Sequence, residues 1–259
     1  MEPGDRLIAA PAFILCTLRS GSTLLRVLLD SHSQIHAPQE LHFRYIAVQL
    51  TSKWGERAMR GLGLDAEGLE YLLWDRILNR ELASSGKHQI VCKTPNDVFI
   101  ADRIAQCWPD VRFIFLLRHP GAIVRSRQAL GPDIDAEKNI DLIRRYCEAL
   151  ETARRRYPGH LVRYEELTAD PTTVTQGICE FLRVPWEPQM LDYGRVDRRY
   201  RAGLGDWKDK IRTGQVQPAD PAPGADETPP ELRGIAAAWG YLPMDAGSRE
   251  PRVKRVQRS

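Results

Sequence analysis

Cations stand where the strands of this sequence end. The apolar run Ala12–Thr17 leads through Leu18 and Arg19 into the small-residue turn Ser20-Gly21-Ser22-Thr23. The run Gln89–Cys92 ends at Lys93, and Arg112–Leu117 ends at Arg118. A small-residue turn between a strand and a helix aims several backbone N–H groups at one point. With the dipole of the helix they open, those groups bind a phosphate or a comparable anion. Arg19 adds a positive charge there, and Ser22 and Thr23 add hydroxyl donors. The turn lacks the lysine of the Gly-x-x-x-x-Gly-Lys-Ser/Thr loop, and no carboxylate at a strand end offers to hold magnesium. Strand C-termini form the ligand crevice of an open α/β sheet. The chemistry expected is therefore a polyanionic nucleotide gripped by Arg19, Lys93 and Arg118, with no metal.

The elements that must position these residues are legible as alternating short apolar runs and helix-like segments, the pattern of an α/β fold with a central parallel sheet. Near-continuous apolar runs predict strands at Ala12–Thr17, Gln89–Cys92, Arg112–Leu117 and His160–Arg163. Helices are predicted over Ser22–Ser31, Asp97–Cys107, Pro120–Ala129, Glu137–Arg156, Thr172–Leu182 and Glu231–Trp239. Pro120 suits a first helical turn, and the arginines closing Glu137–Arg156 complement the helix dipole. Leu41–Ser84 interrupts the alternation and reads as a helical insertion over one end of the sheet, forming the acceptor side. Gly214–Pro230 is rich in proline and reads as a mobile loop. Residues 1–247 are expected to form one domain, and 248–259 a basic, disordered tail.

Composition narrows the classes. The chain has 259 residues, is 42% hydrophobic and 27% charged, and carries a formal net charge of +3. That is globular, and too weakly basic to argue for nucleic-acid binding. The apolar stretch Leu7–Leu18 is interrupted by Pro11 and is too short to span a membrane. The five cysteines, Cys16, Cys92, Cys107, Cys147 and Cys179, are odd in number and never paired as Cys-x-x-Cys, which speaks against a zinc site or a disulfide framework. A reducing cytoplasm, a small-molecule partner, and neither a nucleic-acid nor a membrane partner are the expectations.

The residues also resemble a known family. Arg19-Ser20-Gly21-Ser22-Thr23-Leu24-Leu25 resembles the 5′-phosphosulfate loop of sulfotransferases that use 3′-phosphoadenosine 5′-phosphosulfate (PAPS). Leu117-Arg118-His119-Pro120 followed by Ser126 resembles the 3′-phosphate motif of that family. Tyr164-Glu165-Glu166-Leu167 and Gly205-Asp206-Trp207-Lys208 resemble two further signatures, in the same order. The closer likeness is to the branch with tyrosylprotein sulfotransferases and bacterial natural-product sulfotransferases, in which a short loop after the first helix carries the catalytic glutamate. Glu40 falls on that glutamate. The small-molecule cytosolic branch instead carries its base in Lys-Thr-His, and here Lys93-Thr94-Pro95 keeps the lysine but not the histidine.

The resemblance implies sulfuryl transfer to a small-molecule hydroxyl, with Glu40 as base and His42 or His36 in reserve. Arg19 and Lys93 would stabilise charge on the leaving phosphate. Ser20 through Leu24 would hold the 5′ end of the donor, Arg118 and Ser126 its 3′-phosphate, and Tyr164 its adenine. Arg201 and Gly203 resemble a second 3′-phosphate clamp. Trp207 covers the nucleotide or pins its loop. His32, His119 and the stretch Tyr71–Trp74 read as structural, Arg125 and Arg127 as solvated, and Phe43, Tyr45 and Trp54 as candidates for an acceptor pocket. Two other readings stay open: a metal-dependent nucleotide kinase of similar fold, and a catalytically silent nucleotide-binding protein.

Overall fold

The computed structural model describes residues 6–195, 211 and 213–243. Arg201, Gly203, the Gly205–Lys208 motif and the basic tail lie outside the described residues.

Five parallel strands form the centre, in the order β2-β3-β1-β4-β5. They are β1 (Ala12–Cys16), β2 (Ile35–His36), β3 (Gln89–Lys93), β4 (Arg112–Leu117) and β5 (Gly159–Arg163). Every residue of β1 is buried, as its unbroken apolar run requires of a strand covered on both faces. One sheet face carries Phe13, Leu15, Phe113 and Phe115 against Phe43, Trp74, Trp108 and Leu150. The other carries Ile14, Cys16, Ile114 and Leu116 against Leu25, Leu28, Ile178 and Leu182. Alternate residues of one strand thus build separate cores. The edge strand β2 was not predicted, because a pair of residues shows no periodicity.

Helices α1 (Ser22–Asp30), α5 (Pro120–Gln128), α6 (Ala136–Arg156), α8 (Pro171–Leu182) and α9 (Pro230–Ala238) match the predicted segments within a residue or so at each end. The segment expected as one helix over Asp97–Cys107 starts instead as a 3-10 helix at Pro95–Ile100 and becomes α4 only at Ala101–Cys107. Tyr164 opens a short unpredicted helix, α7 (Tyr164–Ala169).

The insertion is less helical than expected. A 3-10 turn, Phe43–Tyr45, leads into residues without regular structure, then α2 (Lys53–Gly61) and α3 (Ala66–Ser85). Asp65 caps α3 by accepting from Gly68 N at 2.7 Å, and Gly86, at φ 68°, closes it. Buried Asp75 of α3 anchors the insertion, accepting from Leu7 N (2.6 Å), Ile8 N (3.1 Å) and Trp108 Nε1 (3.1 Å). Residues 213–229 have no helix or strand, yet they are tied to α5: Arg125 donates to the Pro221 carbonyl at 2.6 Å, and Thr228 is buried. Among the described residues no helix is long and apolar enough to cross a membrane. All five cysteines are free and buried.

Candidate functional site

The strand order decides where the strand-end cations go. Because β1 lies between β3 and β4, the chain reverses direction across the sheet at β1. Such a switch point opens a crevice at the carboxyl ends of the strands. Lys93 closes β3, and Arg19 and Arg118 follow the ends of the adjacent β1 and β4. Cys16, closing β1, registers the convergence. Burial pushes its thiol up to about 11, against opposing effects of Lys93 and the Ser22 and Ser20 hydroxyls, and Glu40 adds to the rise.

The turn after β1 is built for close approach. Arg19 (φ 59°) and Gly21 (φ 83°) both adopt the left-handed conformation. For a non-glycine residue this costs about 1–2 kcal/mol, so Arg19 carries local strain, a feature that clusters at functional sites. Ser20 is fully buried and donates its hydroxyl to the Thr17 carbonyl at 2.8 Å, closing the turn. Gly21 is the N-cap of α1 and brings no side-chain acceptor to the amides of the first turn. A Cβ on Gly21 would fall 2.2 Å from Tyr164 Cδ2, so the tyrosine ring lies directly against the turn. Arg19 Nε donates to Ser126 Oγ on α5 at 3.3 Å.

Arg118 and Tyr164 form one wall. The Arg118 guanidinium sits 4.4 Å from the centre of the Tyr164 ring, and its Nη1 donates to the Arg19 carbonyl at 2.7 Å. Its Nε is buried without a hydrogen-bond partner among the described residues. Burial lowers the Arg118 pKa, with Tyr164 and Glu165 opposing. Glu165 braces the wall from behind, accepting from His119 N (3.1 Å) and from Tyr241 OH (2.7 Å). The side chain of His119 is structural: Nδ1 accepts from Gly121 N at 3.1 Å and so caps α5, and burial lowers its pKa.

The opposite wall is an ion pair. Lys93, 2% exposed, is bound to Glu40 Oε1. Glu40 Oε2 lies 3.4 Å from His42 Nε2, and Glu40 keeps 13% side-chain exposure. His42, also left-handed at φ 53°, donates its backbone N–H to Thr94 Oγ1 at 3.4 Å. Next to this pair Asn96 receives the hydroxyl of Tyr146 on its Oδ1 and donates from Nδ2 to Tyr45 OH at 3.0 Å.

Several sequence readings need correction. His36 is not drawn to Glu40. It pairs in register with Ile90, near the start of β3, and sits 3.6 Å from both Asp30 and Glu81. Phe43 cannot line an acceptor pocket, because it is buried against Trp74 and Trp108. Tyr45 and Trp54 are instead exposed, at 68% and 78%. Arg127 is half-buried and bonded to Asn139 rather than solvated. The strand ends do hold carboxyls: Asp97 is buried four residues beyond Lys93. Asp97, Asn96, Glu165 and Tyr241 were missed in their present contacts. Asp97 resembled a helix start, and only the Tyr164–Leu167 motif hinted at Glu165. A cavity of about 870 Å³ lies in the insertion between residues 48–50 and the start of α3, and none of the crevice residues lines it.

Taken chemically, the crevice offers a glycine-opened helix N-terminus, fixed guanidinium and ammonium groups, and one partly exposed carboxylate held by a lysine. Among the described residues no group of three or more His, Cys, Asp or Glu is placed to hold a metal.

The chain is 24% identical to a protein-tyrosine sulfotransferase of Drosophila melanogaster over 194 residues, which is 68% of this chain and 38% of that protein. It thus spans well under half of that relative. In fold it is similar to the sulfotransferase domain of the Synechococcus PCC 7002 olefin synthase (TM-score 0.68, 24% identity, 90% of this chain and 94% of that one). It is likewise similar to the sulfotransferase domain of the curacin biosynthetic pathway (TM-score 0.64, 23% identity, 91% and 99%). The model of the sulfotransferase family matches residues 11–188, a span that contains the phosphate turn, Glu40, Lys93, Arg118 and Tyr164, and on that match the chain belongs to the sulfotransferase family.

Proposed function

We propose that this protein transfers a sulfuryl group from PAPS to a hydroxyl of a small-molecule acceptor of the natural-product type, with Glu40 as general base. The observation that carries the reading is the Lys93–Glu40 pair beside the phosphate turn, whose second carboxylate oxygen, Oε2, lies outside the lysine contact, 3.4 Å from His42 Nε2. The residues fit such a donor. Among the described residues Arg118 Nε has no acceptor, which a phosphate oxygen would supply, and Gly21 brings no side-chain acceptor to the amides of the turn.

Ser20 through Leu24 hold the 5′ end through backbone amides and hydroxyls, with Arg19 above them. Arg118 and Ser126 hold the 3′-phosphate, Arg supplying a planar fork for phosphate oxygens. Tyr164 flanks the adenosine; Arg201 and Gly203, which the resemblance implies as a second clamp, lie outside the described residues. The donor supplies the sulfuryl group and a leaving phosphate. Glu40 takes the acceptor's proton on Oε2, while Lys93 fixes Oε1. His42, 3.4 Å from Oε2, orients the carboxylate. Once Glu40 is protonated it no longer neutralises Lys93, and the ammonium charge becomes available to the leaving phosphate. One such preorganised donor is worth about 3–4 kcal/mol.

A reducing, cytoplasmic setting belongs to the same proposal, supported by five free thiols. The test is calorimetry with adenosine 3′,5′-bisphosphate in the presence of a chelator, followed by transfer of labelled sulfate to an acceptor panel. Binding without metal and transfer to a phenol or aliphatic alcohol are expected. Magnesium-dependent ATP turnover without bisphosphate binding would replace the reading with a nucleotide kinase, and binding without transfer with a silent binding protein.

A further inference from the structure

Lys93 has a second carboxyl for a neighbour. Asp97 lies on the 3-10 helix that follows β3, in the stretch Lys93-Thr94-Pro95-Asn96-Asp97, and its backbone N–H donates to the Thr94 carbonyl at 2.9 Å. The residue is 1% exposed, and neither carboxylate oxygen has a hydrogen-bond partner among the described residues. A buried carboxylate in that state is strongly disfavoured, whereas the neutral acid is tolerated.

The surroundings agree. Burial pushes Asp97 up to about 8, the charge of Glu40 pushes the same way, and Lys93 and Thr94 oppose. Titratable groups stand on each element packed against this 3-10 helix. Among them are Cys16 on β1, Cys92 and Lys93 on β3, Arg44 and Tyr45 on the Phe43–Tyr45 turn, Asp102, Arg103 and Cys107 on α4, and Tyr146 on α6. Burial raises Cys16, Cys92, Cys107 and Tyr146, which keeps them neutral. Lys93 and Glu40 are left as the charges that act on Asp97.

We propose that Asp97 is a positioning residue: it keeps a proton buried behind Lys93, so that the negative charge facing the lysine resides on Glu40, the carboxyl that opens to the crevice. The inference rests on the reading of Glu40 as base and deepens it. Burial sets Asp97 apart from the partly exposed Glu40, the kind of difference in environment that separates acid from base. While Asp97 is neutral, protonation of Glu40 leaves Lys93 without any counter-charge at the moment the leaving group gains its own. An ionised Asp97 would hold the lysine instead.

The test combines a titration with kinetics. Carboxyl carbon NMR of aspartate-labelled protein is expected to show a group titrating near 8, which vanishes in Asp97→Asn and moves downward in Glu40→Gln. Turnover in the wild type is expected to fall about tenfold per pH unit above that value, with the KM for the donor unchanged. Asp97→Asn, which keeps a neutral side chain of the same shape, is expected to hold its rate through the same range. If Asp97→Asn does not fold, the wild-type and Glu40→Gln titrations decide alone. Titration of every aspartate in the ordinary acid range overturns the inference, as does a break near pH 8 that survives Asp97→Asn. A high-titrating Asp97 in a protein that transfers no sulfate overturns the reading of the reaction alone. Ordinary titration in an active enzyme overturns the inference alone.

Discussion

Gly21→Ala tests the architecture of the phosphate turn at its tightest point. The substitution meets two separate penalties. The backbone at φ 83° is left-handed, which costs an alanine about 1–2 kcal/mol. The new Cβ would also stand 2.2 Å from Tyr164 Cδ2 and 2.4 Å from Cε2. That overlap cannot be absorbed in place, and moving the ring breaks its stacking with Arg118 at 4.4 Å. Overpacking of this kind costs roughly 1–3 kcal/mol. The expected total is about 2–5 kcal/mol, or a fall in Tm of roughly 4–20 °C for a chain of this size. The two penalties separate in a double-mutant cycle. With Tyr164→Ala the ring is gone, so Gly21→Ala should cost only the backbone strain, about 1–2 kcal/mol. The coupling between the two positions is then about 1–3 kcal/mol. Chemical denaturation of the four proteins measures it, with calorimetric binding of adenosine 3′,5′-bisphosphate alongside. Equal cost of Gly21→Ala in both backgrounds would refute the packing of Tyr164 on the turn, and with it the wall assigned to the nucleotide.

Other perturbations probe the remaining parts. Glu40→Gln should hold bisphosphate binding at wild-type affinity or slightly tighter while turnover falls about 10²–10⁴-fold; unchanged turnover in a sulfate-transfer assay would remove Glu40 from the role of base. Arg118→Ala should weaken binding of the 3′,5′-bisphosphate far more than that of the 5′-monophosphate, and calorimetry with both ligands decides. For pH, the sign follows from the raised folded-state value of Asp97. Between the ordinary carboxyl range near 4 and about 8 the folded protein binds a proton that the unfolded chain has released. Its stability is therefore greatest at low pH and declines as pH rises through that window, by at most about 1.4 kcal/mol per pH unit. Asp97→Asn should flatten that decline when both proteins are unfolded in urea across pH 5–8, and parallel curves would show that Asp97 titrates normally.

How much was legible follows from what each element depends on. Strands β1, β3 and β4 announce themselves because both faces are covered, so their apolar runs are unbroken, and the cations that follow them are visible in the same reading. The two-residue strand β2 has no such signature. Tyr164 could be picked out by its motif, but its contact with Gly21 depends on the parallel register that sets β5 beside β4, pairing Leu117 with Arg163. Phe43 looked like a pocket aromatic until the insertion folded it under Trp74 and Trp108. Asp97 sits where a helix-capping acid would sit, and the packing of its 3-10 helix against α6, β1 and the Phe43–Tyr45 turn turns it into a buried acid. Pairing of Glu40 with Lys93 joins residues far apart in sequence, which no local pattern encodes.

The way each cation is held explains why the crevice can be both stable and reactive. Buried charges without partners are costly, yet a site for a polyanion needs charge that its own partners have not cancelled. Arg118 resolves this largely through neutral contacts, the Arg19 carbonyl and the Tyr164 ring, with the charge of Glu165 acting from behind. Lys93 resolves it differently, through its pairing with Glu40, a carboxylate that on the proposed mechanism would lose its charge by accepting a proton. On that mechanism the cancelled charge would be restored only when an acceptor gives up its proton, so the ammonium's full field would act on the leaving phosphate during transfer and not before. Stabilisation that appears only along the reaction coordinate is the kind that raises turnover rather than affinity. It follows that exchanging Glu40 for a neutral residue should tighten resting bisphosphate binding slightly while slowing transfer, an opposite movement of affinity and rate that a merely structural salt bridge would not produce.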